Sequence, residues 1–101
     1  MREDPELRRL LWYVLGASRG GENRAKIIYA LRQQPANVNQ LSTRLGMDYR
    51  LVTHHIDFLK KNSLLNSTGE HYGKMYSLSV WLEDHFDMFE EVCGKLNFRT
   101  V

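Results

Sequence analysis

The stretch NVNQLSTRLGMDYRLVTHHIDFLKKN, Asn37 to Asn62, decides the fold. Asn37 and Gln40 stand three apart, the spacing of a capping box, in which each side chain satisfies a free backbone N–H at a helix start. Val38, Leu41 and Leu45 follow as a short apolar stripe, and Gly46 is placed to close that helix. Asp48 is an N-cap for a second helix, with only Met47 between it and the closing glycine. Val52, Ile56 and Leu59 give this second helix one apolar face. Two short helices joined by so tight a turn make a helix-turn-helix.

Upstream, Asp4 and Pro5 read as an N-cap and a first helical position. Leu7, Leu10, Leu11 and Val14 then recur at i, i+3, i+4 and i+7, and Gly16 is a stop signal. A turn, SRGGEN, leads to a helix predicted over about 23–34. Its stripe is Ile27, Ile28 and Leu31 with Ala30 beside it, while Arg24, Lys26 and Arg32 cover the other face. Pro35 ends it, because the residue before a proline avoids the helical region.

Downstream of Asn62 the apolar period changes from 3.6 to 2. Met75, Tyr76, Ser77 and Leu78 alternate, and Gly69 and Gly73 frame a loop, so a β-hairpin is predicted with strands near 64–67 and 74–78. One further helix is predicted over about 80–96. The fold class is therefore mostly α with a β-hairpin wing: a winged helix-turn-helix with additional N- and C-terminal helices. The chain of 101 residues allows a single domain over 1–101, divided into an N-terminal helix (1–16), a winged core (22–79) and a C-terminal dimerisation helix (80–97).

Composition sets the partners. With 43% hydrophobic and 26% charged residues, the chain reads as a folded globular protein rather than a disordered one. Charge is split along it. Residues 1–79 hold 12 Lys or Arg against 7 Asp or Glu, whereas Glu83, Asp84, Asp87, Glu90 and Glu91 face only Lys95 in residues 80–96. A basic body suits a polyanion. The single cysteine, Cys93, permits no internal disulfide. The longest apolar run, LLWYVLGA, is far short of the roughly 20 residues that cross a bilayer. It also lacks a signal peptide's cleavage pattern, so a cytoplasmic protein with no membrane partner is expected.

Helical geometry then sorts the side chains of 49–62. If Val52, Ile56 and Leu59 face inward, Tyr49, Arg50, Thr53, His54 and Asp57 fall outward. That is a mixed donor and acceptor set on the N-terminal half of a helix, where base edges are read. Arg50 can donate twice to a guanine edge. Thr53 can bond a base or touch a thymine methyl, and Tyr49 can reach a phosphate or a methyl. Asp57, repelled by phosphate, is suited to a cytosine amine or a basic neighbour. Lys74 and His71 are the wing contacts, and Arg44 stands near a backbone phosphate. Lys60 and Lys61 read equally well as solvated charges.

The adjacent His54 and His55 point about 100° apart, so they cannot converge on one metal ion or act as an acid–base pair. His54 is expected outward, toward a phosphate or base, and His55 inward, holding a hydrogen bond within the fold. Leu82, Phe86, Phe89, Cys93 and Leu96, spaced 4, 3, 4 and 3, form an a/d seam on the last helix. This seam is expected to pack both on the chain's own first helix, through Leu7, Leu10, Leu11 and Val14, and on the same pair of helices from a second subunit, making these residues the dimerisation surface; packing within its own monomer alone is the alternative. Cys93 on it reads as a small buried hydrophobe. No nucleophile, base and orienting group can be placed together, so no catalytic residues are assigned and an enzyme is not expected.

The stretch of 37–65 followed by GEHYGKMYSLS resembles the ArsR-type winged-helix transcription regulators, archaeal members in particular. The resemblance covers roughly residues 22–80 and is carried by the LG, VTHH, FLKKNSLL and YGKMYSL elements in order. It implies a dimeric repressor or activator with its recognition helix in the major groove and the wing alongside. Many such regulators sense metals through a Cys-Val-Cys at the start of the first helix of the helix-turn-helix. Here those positions are Asn37, Val38 and Asn39, which lack thiolate chemistry. A second family site uses histidines and carboxylates on the last helix, where this chain offers Asp84, His85 and Glu91 but no second histidine.

The sequence reading is thus a sequence-specific regulator of transcription that binds double-stranded DNA as a homodimer. Its recognition helix is 49–62 and its wing 66–76. No cofactor and no metal site are expected, and the sequence names no small-molecule or metal effector. The alternatives are a winged-helix protein-interaction module without sequence-specific DNA binding, or a metal- or redox-responsive repressor.

Overall fold

The computed structural model of the chain describes residues 3–17, 19–70 and 73–98. Among them the order is α1 (Pro5–Gly16), α2 (Gly21–Gln33), α3 (Val38–Leu45), α4 (Tyr49–Lys61), β1 (Leu65–Thr68), β2 (Met75–Leu78), α5 (Val80–Asp84) and α6 (Phe86–Lys95). This is a winged helix-turn-helix core flanked by helices at both ends.

Local chemistry fixes the ends of these elements. The Leu7 N–H donates to Asp4 Oδ1 at 3.0 Å, with proline at the first turn of α1. The capping box is complete: the Gln40 N–H donates to Asn37 Oδ1 at 2.8 Å, and the Asn37 N–H donates to Gln40 Oε1 at 2.9 Å. Gly46 ends α3 at φ 63°, a left-handed conformation that costs glycine little. The Arg50 N–H donates to Asp48 Oδ2 at 2.9 Å and starts α4. Each such cap contributes about 1 kcal/mol.

β1 and β2 pair antiparallel, with Leu65 opposite Leu78 and Thr68 opposite Met75. A third segment joins them. Ala36, just ahead of α3, exchanges both backbone hydrogen bonds with Tyr76, at 3.1 and 2.8 Å. The wing is thereby tied to the start of the helix-turn-helix, a link that the sequence reading did not contain.

One apolar core runs through the chain. Leu7, Leu11, Val14, Ile27, Ile28, Leu41, Val52, Leu59, Leu82, Phe89 and Val92 are fully enclosed within it. Burying each such leucine, valine, isoleucine or phenylalanine contributes roughly 1.5–3 kcal/mol before the entropy of ordering is counted.

Two sequence expectations need correcting. The last helix is not continuous over 80–96. His85, at φ −123°, leaves the helical region and separates α5 from α6, and its Nδ1–H donates to the Trp81 carbonyl at 2.9 Å. Beyond the break, Phe86 meets Tyr29 of α2 edge-on and Phe89 meets it at a tilt, at centroid distances of 5.4 and 5.2 Å.

Arg24 also does not lie on a solvated face: it is 5% exposed. Its Nη1–H donates to the Val14 carbonyl at 2.9 Å and its Nε–H to His55 Nδ1 at 3.2 Å. The guanidinium carbon sits 4.2 Å from the centre of the Phe58 ring. These contacts replace water around the charge, which is what makes its burial tolerable. Arg32 does remain exposed, over Phe86 and paired with Glu83 at 3.2 Å.

Candidate nucleic-acid interface

α4 is anchored by its inner side. Val52, Ile56 and Leu59 are 0–1% exposed, and His55 joins them at 3%. His55 accepts from Arg24 at Nδ1, so its proton lies on Nε2, and that atom has no hydrogen-bond partner among the described residues. Burial, then the nearby Arg24 charge, pushes its pKa down to about 4. Gly20 passes so close that a Cβ there would lie 2.7 Å from the His55 ring.

The outer side is open. Tyr49 is 52% exposed; Arg50, His54 and Asp57 are exposed, and Thr53 is half-buried. The Thr53 hydroxyl donates back to the Tyr49 carbonyl at 2.9 Å, which leaves its oxygen lone pairs and methyl group for an outside partner. The rings of His54 and His55 lie 5.6 Å apart at 59°, pointing to solvent and to core respectively. Arg44 is exposed on α3, and Lys74 is half-buried beside β2. His71 lies outside the described residues.

Sequence reasoning missed three residues around this face. Leu51, 37% exposed, sits on the first turn of α4 beside Arg50. Asn39 and Tyr76 join Asn37, Val38, Tyr49, Thr53 and Lys74 around an open cleft of about 280 Å³ between α3, α4 and the wing. The pairing of Ala36 with Tyr76, a long-range contact, ties the wing to the start of α3 beside that cleft.

Of the residues assigned to dimerisation, most take part in the packing of the first and last helices within the protomer. Leu7, Leu11, Val14, Leu82, Phe86, Phe89 and Cys93 are buried in the protomer's own core, because α1 and α6 pack on each other. Leu10 and Leu96 stay partly exposed at its edge. Burial pushes the Cys93 thiol up to about 12, so it stays protonated at neutral pH. Arg8 bridges Glu3 and Glu91 at 2.7 and 2.6 Å and fastens α1 to α6 from outside. Hydrogen bonds to that guanidinium hold both carboxyls below their ordinary range. Among the described residues no group of three or more His, Cys, Asp or Glu is placed to hold a metal ion.

Comparison with known proteins bears on this arrangement. Residues 21–67 match the family described as bacterial regulatory protein, arsR family. That segment holds α2, α3, α4 and most of β1, and with them the whole open face of α4. No curated protein matches the chain.

Several solved structures share the fold. HlyU from Vibrio cholerae is 23% identical, with 91% of this chain and 95% of that one covered and a TM-score of 0.66. A regulatory-protein fragment from Mycobacterium bovis is 18% identical, with 96% and 99% covered and a TM-score of 0.69. The solution structure of that fragment, Mb0332, is described as a homodimeric winged helix-turn-helix DNA-binding domain. ZitR from Lactococcus lactis, solved in complex with DNA, is 18% identical with a TM-score of 0.58; 72% of this chain and 50% of that one are covered.

Proposed function

We propose that this protein is a sequence-specific transcriptional regulator that binds double-stranded DNA as a homodimer, with 49–62 in the major groove and the wing, 66–76, alongside. The observation that carries the reading is the two-sidedness of α4. Its apolar side is locked into the core, while Arg50, His54 and Asp57 stand free on the other. A rigid helix with an exposed bidentate donor near its N-terminus suits the edge of a guanine. The arsR-family segment and the fold shared with a DNA-bound and a homodimeric relative support the same reading. The affinity of the sequence for archaeal regulators rests on its motifs alone.

Arg44 and Lys74 would contact phosphates, and His71 would do so from the wing tip. These contacts set register and affinity rather than base preference. Leu51 would add an apolar contact to a thymine methyl. The dimer would form on the outer edge of α1 and α6, around Leu10 and Leu96, since the remainder of the seam is already covered. The protein would act in the cytoplasm; among the described residues no helix is long and apolar enough to cross a membrane.

Binding to bulk DNA over a range of salt concentrations tests the reading. Affinity should fall steeply as salt rises, and Lys74→Ala should reduce the slope by about 1. An absence of salt-dependent binding would instead favour a docking module.

A further inference from the structure

The cleft beside the recognition helix has a composition that the reading of base edges does not explain. Its lining is Asn37, Val38, Asn39, Tyr49, Thr53, Lys74 and Tyr76: one cation, amides, hydroxyls and a valine, with no carboxylate. It is also preformed. The paired backbone bonds of Ala36 and Tyr76 hold the wing wall against the start of α3, and the capping box fixes Asn37 in turn. The third wall is the first turn of α4, which the core anchors through Val52. Among the described residues, the side-chain donors of Asn39, Tyr49, Lys74 and Tyr76 make no hydrogen bond within the chain.

Resting on the DNA-binding reading above, we infer that this cleft seats one backbone phosphate of the strand running between recognition helix and wing, with Asn39 and Tyr76 donating to it beside Lys74. A phosphodiester carries one negative charge on oxygens that only accept hydrogen bonds, and the walls supply donors and a single positive charge. Burial, then the Asp57 charge, raises the Tyr76 pKa, which keeps its hydroxyl a donor at neutral pH. Asp57 does not line the cleft, although its charge reaches Tyr76. Because the walls belong to three elements, a seated phosphate fixes how deep α4 enters the groove and how the wing lies. Asn39 and Tyr76 would then set affinity and register for every sequence alike.

The test uses the full chain and an operator recovered by selection from random DNA. Tyr76→Phe and Asn39→Ala should each weaken binding about 3- to 10-fold, the worth of one hydrogen bond. The loss should be equal on preferred and unrelated sequences. The salt slope should stay unchanged, since neither residue releases a counterion, whereas Lys74→Ala should lower it by about 1. Ethylating single phosphates should show one position per half-site whose modification hurts the wild type more than it hurts Tyr76→Phe or Lys74→Ala. Tyr76→Phe keeps the ring, and an unchanged melting temperature separates lost contact from lost fold. The inference is overturned if both neutral variants bind as wild type while Arg50→Ala still alters base preference. It is equally overturned if no phosphate shows that reduced interference. DNA binding absent even from the wild type would instead remove the reading on which the inference rests.

Discussion

At the scale of single residues, the link between Arg24 and His55 holds α4 to the rest of the chain. One guanidinium joins the last turns of α1, through the Val14 carbonyl, to α4, through His55 Nδ1 and the Phe58 ring. His55 is neutral when folded down to about pH 4, but protonates near 6.5 once the chain unfolds. Unfolded chains therefore take up a proton first as the pH falls between those values, and stability should drop across that window by up to about 3 kcal/mol. His55→Asn should flatten this dependence, as read from urea midpoints between pH 6.5 and 4; an unchanged slope would place the titration elsewhere. Gly20 sits at φ +88° with the His55 ring against it. Gly20→Ala should cost about 1–3 kcal/mol in thermal unfolding, through positive φ and the clash together. The inward turn of His55 was legible in the sequence, because 100° per residue separates it from His54 and places it beside Val52 and Leu59. The burial of Arg24 was not. On its own helix it looks like a solvent-facing charge, and its partners lie 10 and 31 positions away.

At the scale of elements, ends written in local chemistry could be read directly. Asp4 with Pro5, Asn37 with Gln40, Gly46 and Asp48 all act where their side chains predict. Asn37→Ala removes the half of the box that its side chain accepts and should lower stability by about 0.5–2 kcal/mol, which a melting curve would register. The break at His85 was not readable. Neither glycine nor proline marks it, and the apolar spacing of Leu82, Phe86 and Phe89 suits a continuous helix equally well. What accompanies it is tertiary: beyond it, Phe86 and Phe89 meet Tyr29. The pairing of Ala36 with Tyr76 was hidden for the same reason, since one residue beside a proline carries no strand pattern. The cleft beside that pairing was hidden with it.

At the scale of the molecule, the sequence divides the chain into a basic body and an acidic C-terminal part. The acids of α5 and α6 are in part spent inside the protomer, where Glu83 pairs with Arg32 and Glu91 with Arg8 and Lys95. The apolar seam is likewise spent on the core, so dimerisation and folding should separate by mutation. Phe89→Ala should unfold the protomer, at about 3–5 kcal/mol. Leu10→Glu should leave it folded but monomeric in sedimentation; a Leu10→Glu dimer would place the interface elsewhere. A two-fold dimer should select half-sites about one helical turn, ~10 base pairs, apart. The central claim is that the outer side of α4 reads base edges, and selection from random DNA with the wild type and Arg50→Ala side by side tests it most directly. The account predicts a two-fold symmetric site for the wild type, with one guanine per half-site whose preference vanishes in Arg50→Ala at a cost of about 1–3 kcal/mol. Recovery of the same site with the same affinity by both proteins would contradict it.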